Sequence, residues 1–588
     1  MQSFKKLATL LIIFFTFSTL YAQNYLNLDF EIMSGHYLRR WTLSNTEALY
    51  SRDSIEKVSG KYSYKVTRTN PDPSGGFFLN TLPPDLVKGK EIVIKAKVKT
   101  EIQNKGEANL FLIVYNKHGK VLLEDDMEGK RINRTAAWKE INITGKIDSS
   151  AAVIFFGGAW NGGAITAWFD NFELFIDGQE YTAPAPRTAP LTKNELAILK
   201  KYCYPLQSFD PDFNHDIDLS VLKKLTKDAK IVALGEASHG SREIFKMKHR
   251  IIKYLAQQDK GTLLAFEATM PESDQLNQII LKQQLDKVNL HEQLHLWPWH
   301  TSEIRDLFKW MQDYNQGKPK IEFTGFDMQH YNGAIAILKQ VFSTDSSIQK
   351  DLDAFDKLLS SIEAAYVTKN GVMALTPEQA QDTQRYIEGL QTAIQKSNLN
   401  KTTKEILFQN TRIISQYLDK SDETRERYMA ENLLWLSIQN PDSKVIAWAH
   451  NSHVAKTYKR IGQYMHYKRT GAYVADAIQQ KYVAIGFAFY DGLFTNTGPK
   501  GITSYPAEIA FPGTYEYFLN QIDEPIFILD LKKIKIDKPA ELNWLLSTLS
   551  FRVVGAGPLN SQFDDQNIAN DFDYLIFIKT STGSHFLN

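Results

Sequence analysis

The chain has 588 residues, room for roughly three or four domain-sized units. Its 68 Lys and Arg almost balance 67 Asp and Glu, so no basic surplus exists to neutralise the phosphates of a nucleic acid or a membrane surface. A single cysteine, Cys203, excludes an intramolecular disulfide framework, a paired-thiol redox site and a cysteine-rich zinc site.

Residues 1–22 read as a signal peptide. Lys5 and Lys6 give the positive start. Leu7 to Phe17 is apolar but too short to span a bilayer, and Leu20-Tyr21-Ala22 offers a cleavage site. No other stretch approaches membrane-spanning length. The mature protein is therefore expected to be exported, periplasmic or secreted, with no membrane span.

Residues 23–180 predict an all-β domain. Ile92, Ile94, Ala96 and Val98 alternate with Glu91, Val93, Lys95 and Lys97, the period of a half-buried strand. Leu110–Tyr115, Glu140–Thr144 and Ala152–Phe156 are further β-rich runs bounded by turn residues. A jelly-roll β-sandwich is the expected architecture. Val58–Val66 and Trp168–Leu174 resemble the first and last parts of carbohydrate-binding jelly rolls, which makes a glycan a possible partner. Trp41, Trp160 and Trp168 are candidate sugar platforms, although core packing is the commoner fate of a strand tryptophan.

Residues 181–193 hold Pro184, Pro186 and Pro190 among Ala and Thr, a stiff linker and domain boundary. From 194 to 588 the pattern turns to strands alternating with helices. Ile231–Leu234, Thr262–Phe266, Ile321–Thr324, Val445–Trp448, Tyr482–Phe487, Ile526–Leu529 and Tyr574–Ile578 are the predicted strands. Such alternation predicts an α/β domain with a largely parallel sheet covered on both faces. Between about 332 and 440 the strand signal gives way to a helical insertion expected to cover the strand ends. Thr376-Pro-Glu-Gln379 reads as a capping box that opens a helix running to about Ser397. Ser421 caps another helix, with Met429, Leu433 and Leu436 on its apolar face.

Four of these strands run into ionisable residues. The first precedes Glu236 and His239, on a turn into a helix with Ser241 as N-cap. The second ends at Glu267, the third at Asp327 and the fourth at His450 and His453. In a parallel sheet these turns share one edge, where ligands bind. The set suits water activation: a neutral imidazole takes a proton from water, a carboxylate fixes its tautomer, and a second imidazole protonates the leaving alkoxide. Arg242 and Lys248, on the first helix, are candidate cations for the oxyanion. The same groups also have the donor types of a metal site, with Glu236, His239, Glu267, His450 and His453 as ligands of a divalent cation. Metal-free water activation, with no cofactor, is the favoured reading. No Gly-x-Ser-x-Gly elbow, Walker loop or dinucleotide fingerprint is present.

These motifs resemble the erythromycin esterase family. The matching pieces are Gly235-Glu-Ala-Ser-His-Gly240, Ala265-Phe-Glu-Ala268, Gly325-Phe-Asp-Met-Gln329, Arg425-Glu-Arg-Tyr-Met-Ala-Glu-Asn432 and Trp448-Ala-His-Asn-Ser-His453. The resemblance covers about Asn194 to Ile578 and implies an α/β fold with a helical insertion and hydrolysis of a macrolactone ester. It implies that His239 activates water, with Glu236, Glu267, His450 and His453 lining the cleft. Arg242, Asp327 and Arg425 are expected to contact substrate. Where the family often has arginine, nine residues after the first-turn histidine, this chain has Lys248, which keeps the charge and loses the planar fork. The expected partner is a small-molecule ester or lactone. A metal-dependent hydrolase or protease, and a glycan-binding protein with a degenerate enzyme domain, are the alternatives.

Overall fold

A computed structural model describes all residues except 1–24, 35–36, 45–47, 71–74, 117–119, 184, 317–319, 369–374, 462–464, 499, 556–561 and 588. The predicted signal peptide lies outside the described residues.

The first unit is a sandwich of two antiparallel sheets. One has the order Ala136–Lys146, Glu91–Ile102, Ile165–Ile176, Ser63–Arg68 and Leu49–Asp53, with Gln179–Glu180 pairing off the third. The other runs Thr42–Leu43, Gly76–Thr81, Ala151–Asn161, Glu107–Asn116 and Val121–Asp125. Ile92, Ile94, Ala96 and Val98 do face the core, as their alternation predicts. Two of the three candidate sugar platforms are corrected. Trp41 packs against Phe30, Phe78, Phe156 and Phe172, and Trp160 is wholly buried beside Tyr50. Trp168 lies outside that core, but it too is buried. Its indole N–H donates to Asp53 at 2.9 Å, and the Lys65 and Lys99 ammonium groups sit 5.1 and 4.9 Å from its ring.

The proline-rich segment is docked rather than free. Arg187 pairs with Glu195 and lies 5.7 Å over the Phe518 ring, and the Leu191 N–H donates to Gln521 at 2.8 Å.

The second unit is built on a nine-stranded sheet. Its main strands are β1 (Cys203–Pro205), β2 (Ile231–Leu234), β3 (Thr262–Thr269), β4 (Ile321–Asp327), β5 (Lys444–Trp448), β6 (Tyr482–Asn496), β7 (Ile526–Asp530) and β8 (Tyr574–Ser581). Their order is β1-β7-β8-β6-β2-β5-β3-β4, with Thr503–Pro506 pairing off β6. Every pairing from β8 to β4 is parallel, while β1 and β7 form an antiparallel edge that the strand pattern did not announce. Strands β2, β5, β3 and β4, which carry the ionisable turns, are consecutive neighbours.

Strand alternation splits the core in two. Val232 and Leu234 of β2, Leu264 and Phe266 of β3, and Ile446 and Trp448 of β5 face one side. Ile231 and Ala233, Leu263 and Ala265, and Val445 and Ala447 face the other. A strand buried on both faces has to be apolar throughout, which is why these runs carry no polar alternation. Helices α1 (Arg242–Gln258), α2 (Met270–Leu281) and α3 (Ser302–Tyr314) cover the first side.

Helices α4 (Asn332–Val341), α5 (Ser346–Thr368), α6 (Pro377–Lys396) and α7 (Lys401–Leu418) share a separate core. Thr376 and Gln379 form the predicted capping box of α6. The expectation of a single insertion up to residue 440 needs correction. Helix α8 (Asp422–Gln439), capped by Ser421, belongs to the sheet, because Met429, Leu433 and Leu436 pack with Ile231 and Ala447 on its second side. Helix α9 (Thr470–Ile478) lies on the same side through Val474. Among the described residues no helix is long and apolar enough to cross a membrane.

Burial of Trp160 in the sandwich core predicts a structural phenotype. Trp160→Ala is expected to cost about 3 to 5 kcal/mol, read as a lower denaturation midpoint of the sandwich.

Candidate active site

The turn after β2 begins with Glu236, two residues beyond Leu234. Its carboxylate turns to the same side as Leu234 and Trp448, where α1 packs, and it is wholly buried. A carboxylate there needs every lone pair engaged. Oε1 meets His239 Nδ1 at 2.6 Å. Oε2 accepts from Lys248 Nζ at 2.6 Å and from the Trp448 indole at 2.7 Å. Burial favours the neutral acid, but the charge of Lys248 and the hydrogen bond with His239 outweigh it and hold Glu236 below the usual carboxylate range. Burial also pushes Lys248 down to about 8, against the opposing pull of Glu236.

Two glycines admit this turn. A Cβ on Gly235 would lie 2.2 Å from Asn451 Oδ1, whose amide ties the fourth turn to the backbone of Phe487 in β6. A Cβ on Gly240 would lie 1.9 Å from the Thr495 carbonyl. The Gly240 carbonyl accepts from Thr495 N at 2.9 Å and from Ser584 N at 2.8 Å. Ser241 is the N-cap of α1, as predicted, but its hydroxyl bonds Ser581 Oγ at 2.6 Å rather than capping the helix. Residues 582–587 thus run across the start of α1. Thr582 accepts from Arg242 N and donates to Glu243 at 2.6 Å, and Leu587 N donates to the His300 carbonyl at 2.8 Å.

The second half of the site faces the opposite side of the sheet. Glu267, at the same alternation as Ala265, bonds groups delivered by α8. Arg425 Nη2 donates to Glu267 Oε1 at 2.9 Å and to Asp327 Oδ2 at 2.6 Å. His453 lies between two carboxylates, Nε2 at 3.1 Å from Glu267 Oε1 and Nδ1 at 2.9 Å from Glu426 Oε1. Glu426 Oε2 accepts from the amide and hydroxyl of Thr470 at 2.8 and 2.7 Å. Burial alone would neutralise His453, yet Glu267 and Glu426 raise it to about 9, so it is an imidazolium. Burial raises both carboxyls, but His453 outweighs it: Glu267 falls well below its ordinary range and Glu426 to about 2.

The halves meet at the two remaining imidazoles. The His450 amide donates to Glu267 Oε2 at 3.0 Å, and its ring centroid lies 5.0 Å from that of His239. Ser452 N donates to His450 Nδ1 at 3.2 Å, so a neutral His450 carries its proton on Nε2. His239 is 11% exposed.

Glu236, His239, Glu267, Asp327, Arg425, His450 and His453 therefore form one connected array. Two expected roles are corrected. Lys248 is 0% exposed and bonded to Glu236, so it supports that carboxylate and does not face an oxyanion. Arg242 lies 3.4 Å from Glu303 of α3, which makes it an ion-pair partner of that helix rather than a substrate contact. Arg425 and Asp327 are engaged with each other, in a structural fork. The conditional metal set does not assemble either. Among the described residues no three His, Cys, Asp or Glu donors are arranged to hold a metal ion. The lone pairs that a cation would need already meet Lys248, Trp448, Arg425 and His453.

Sequence reasoning missed Glu426 and the indole of Trp448. The signal for Glu426 was present: positions 426, 429, 433 and 436 share one helical face, so a glutamate heads an apolar stripe and needs a buried partner.

The clamped His453 makes stability depend on pH. A raised imidazole contributes fully below its unfolded value of about 6.5 and loses that contribution as pH rises through about 9. The melting temperature is expected to fall between these values, and His453→Gln to flatten that dependence. The variant should also lose about 3 to 5 kcal/mol near neutral pH, because two buried carboxylates then lose the cation between them and only Glu267 keeps a charged partner, Arg425.

Comparison with known proteins agrees with this architecture. The family model for erythromycin esterase matches residues 257–581, beginning after the Glu236–His239 turn. An erythromycin esterase type II of Escherichia coli is 26% identical over 332 residues, 51% of this chain and 78% of that protein. A Bacillus cereus protein of known structure is 26% identical, with a TM-score of 0.58 over 68% of this chain and 100% of its own. The crystal structure of an erythromycin esterase mutant in its open conformation shares the fold at 18% identity, with a TM-score of 0.51 over 63% of this chain and 96% of its own. The family model spans more than half of the 588 residues, and the chain belongs to the erythromycin esterase family.

Proposed function

We propose that this protein hydrolyses a lactone or another carboxylic ester by water that His239 activates. The observation that carries the reading is the 2.6 Å contact between Glu236 Oε1 and His239 Nδ1, with Glu236 kept ionised by Lys248. An ionised carboxylate holds the proton on Nδ1 and leaves the Nε2 lone pair as the base. Nε2 takes a proton from water, and the hydroxide attacks the ester carbonyl. The Nε2–H of His450 donates to the oxyanion that forms. The C–O bond then breaks, and the His239 imidazolium returns its proton to the departing alkoxide. His453, Arg425 and Asp327 touch no reacting atom in this scheme; they hold Glu267, and Glu267 holds the His450 backbone.

The name of the Escherichia coli relative makes erythromycin the first substrate to try. Incubation with the purified protein is expected to add one water to the lactone, read by mass spectrometry, and the activity should survive a chelator. His239→Gln should lower kcat by roughly 10² to 10⁴-fold while the fold persists. Wild-type rates in that variant would remove His239 from its role, and loss of turnover on chelation would restore a metal to the mechanism.

Export belongs to the same proposal and is supported by Lys5, Lys6 and the apolar run Leu7–Phe17. N-terminal sequencing of protein from the periplasm or medium should begin near Gln23; an intact Met1 there would refute processing.

A further inference from the structure

The last described residues form a strap that is fastened to two helices in the same way. At α1 the Arg242 amide donates to the Thr582 carbonyl at 3.0 Å, and the Glu243 carboxylate accepts from the Thr582 amide at 2.5 Å. At α3 the Ser302 amide donates to the His585 carbonyl at 2.8 Å, and the Glu303 carboxylate accepts from the His585 amide at 3.1 Å. Each helix thus offers its first amide and its second side chain to a single strap residue. Beyond them the Phe586 ring lies 5.5 Å from that of His291, and Leu587 meets the His300 carbonyl and His291 Nε2 at 2.8 and 3.0 Å.

We propose that residues 582–587 are a positioning strap for turnover: they hold the turn that carries His239 in its working geometry. The assignment rests on the reading of His239 as the base and extends the machinery to a segment that touches no reacting atom.

The link to His239 runs through Gly240. Its carbonyl accepts from Thr495 N at 2.9 Å and from Ser584 N at 2.8 Å, and Thr495 Oγ1 donates in turn to the Ser584 carbonyl at 2.7 Å. These three residues close a ring of hydrogen bonds directly after the base. Glu236 fixes only one nitrogen of the His239 ring. The direction of Nε2 depends on where the backbone of the turn sits, and an error of about 1 Å in a reacting group can cost roughly 10²-fold in rate.

The strap also starts α1. The hydroxyl of the N-cap residue Ser241 is engaged with Ser581, so the first helical amide, that of Arg242, finds its partner in the Thr582 carbonyl. A terminal segment is ordinarily poorly ordered unless it is tied down. This one is tied mainly through its backbone, so its amides matter more than its side chains. Ser584 shows the difference: its amide holds Gly240, while its buried hydroxyl has no partner among the described residues.

The test separates the amide from the side chain in the full chain, since Ser584→Ala keeps the amide and Ser584→Pro removes it. With erythromycin or 4-nitrophenyl acetate as the ester, kcat is expected to be at least tenfold lower in Ser584→Pro than in Ser584→Ala, with KM values within twofold. Equal kcat values, or a loss confined to KM, overturn the proposal. Where circular dichroism shows that Ser584→Pro does not fold, Glu303→Ala is compared with the wild type by the same criteria, because Glu303 holds the strap at its far attachment, on α3. If the wild type hydrolyses neither ester, the esterase reading has failed by itself, and hydrogen exchange across residues 236–241 decides the strap. Exchange at least tenfold faster in the strap variant supports it; equal rates overturn it.

Discussion

The candidate site depends on keeping a wholly buried carboxylate charged. Glu236 has no water to lean on, so its environment supplies an ammonium, an indole N–H and an imidazole. Each partner comes from a different element: Lys248 from α1, Trp448 from the end of β5, and His239 from the turn itself. The ion pair is not a gain in stability by itself, since desolvation consumes most of the attraction. Its effect is positional. His239 has one orientation in which Nδ1 meets Glu236, and that orientation leaves Nε2 for the role of base that we propose.

The two-sided sheet explains why the acid and base groups divide as they do. Residues of one parity feel α1, and residues of the other feel α8. Glu236 thus receives a lysine and Glu267 receives an arginine, although they come from parallel strands on either side of β5. Chemistry and support are separated by the same rule. His239 and His450 face each other across 5.0 Å between the two halves, while the His453 imidazolium is enclosed between Glu267 and Glu426.

Much of this was legible in the sequence because apolar runs bounded by turns report buried strands directly. Residues 231–234, 262–266, 321–324 and 445–448 all proved to be strands, and their acid and histidine turns did converge. Burial of the charged partners was harder to read. Lys248 looked like a cation open to substrate, yet it sits four residues after Ile244 and three before Ile251, on the face of α1 that packs on the sheet. Two of the tryptophans looked like sugar platforms because a strand pattern gives parity without saying which face is the core. The antiparallel edge of β1 and β7 was invisible for a different reason: a three-residue strand such as Cys203–Pro205 has too few positions to show a period.

The run of residues 582–587 over the start of α1 has a consequence for timing. The carbonyl of Gly240, next to His239, is bonded by Ser584, some 340 positions later in the chain. During synthesis the strands β2 to β6 emerge and can pair long before that amide exists. A ribosome-bound chain can therefore bury most of its sheet while the catalytic turn still lacks one of the two donors to Gly240. Bracing of the turn that carries His239 therefore waits for a segment some 340 positions downstream, so a partly synthesised chain carries a sheet without a fully braced turn.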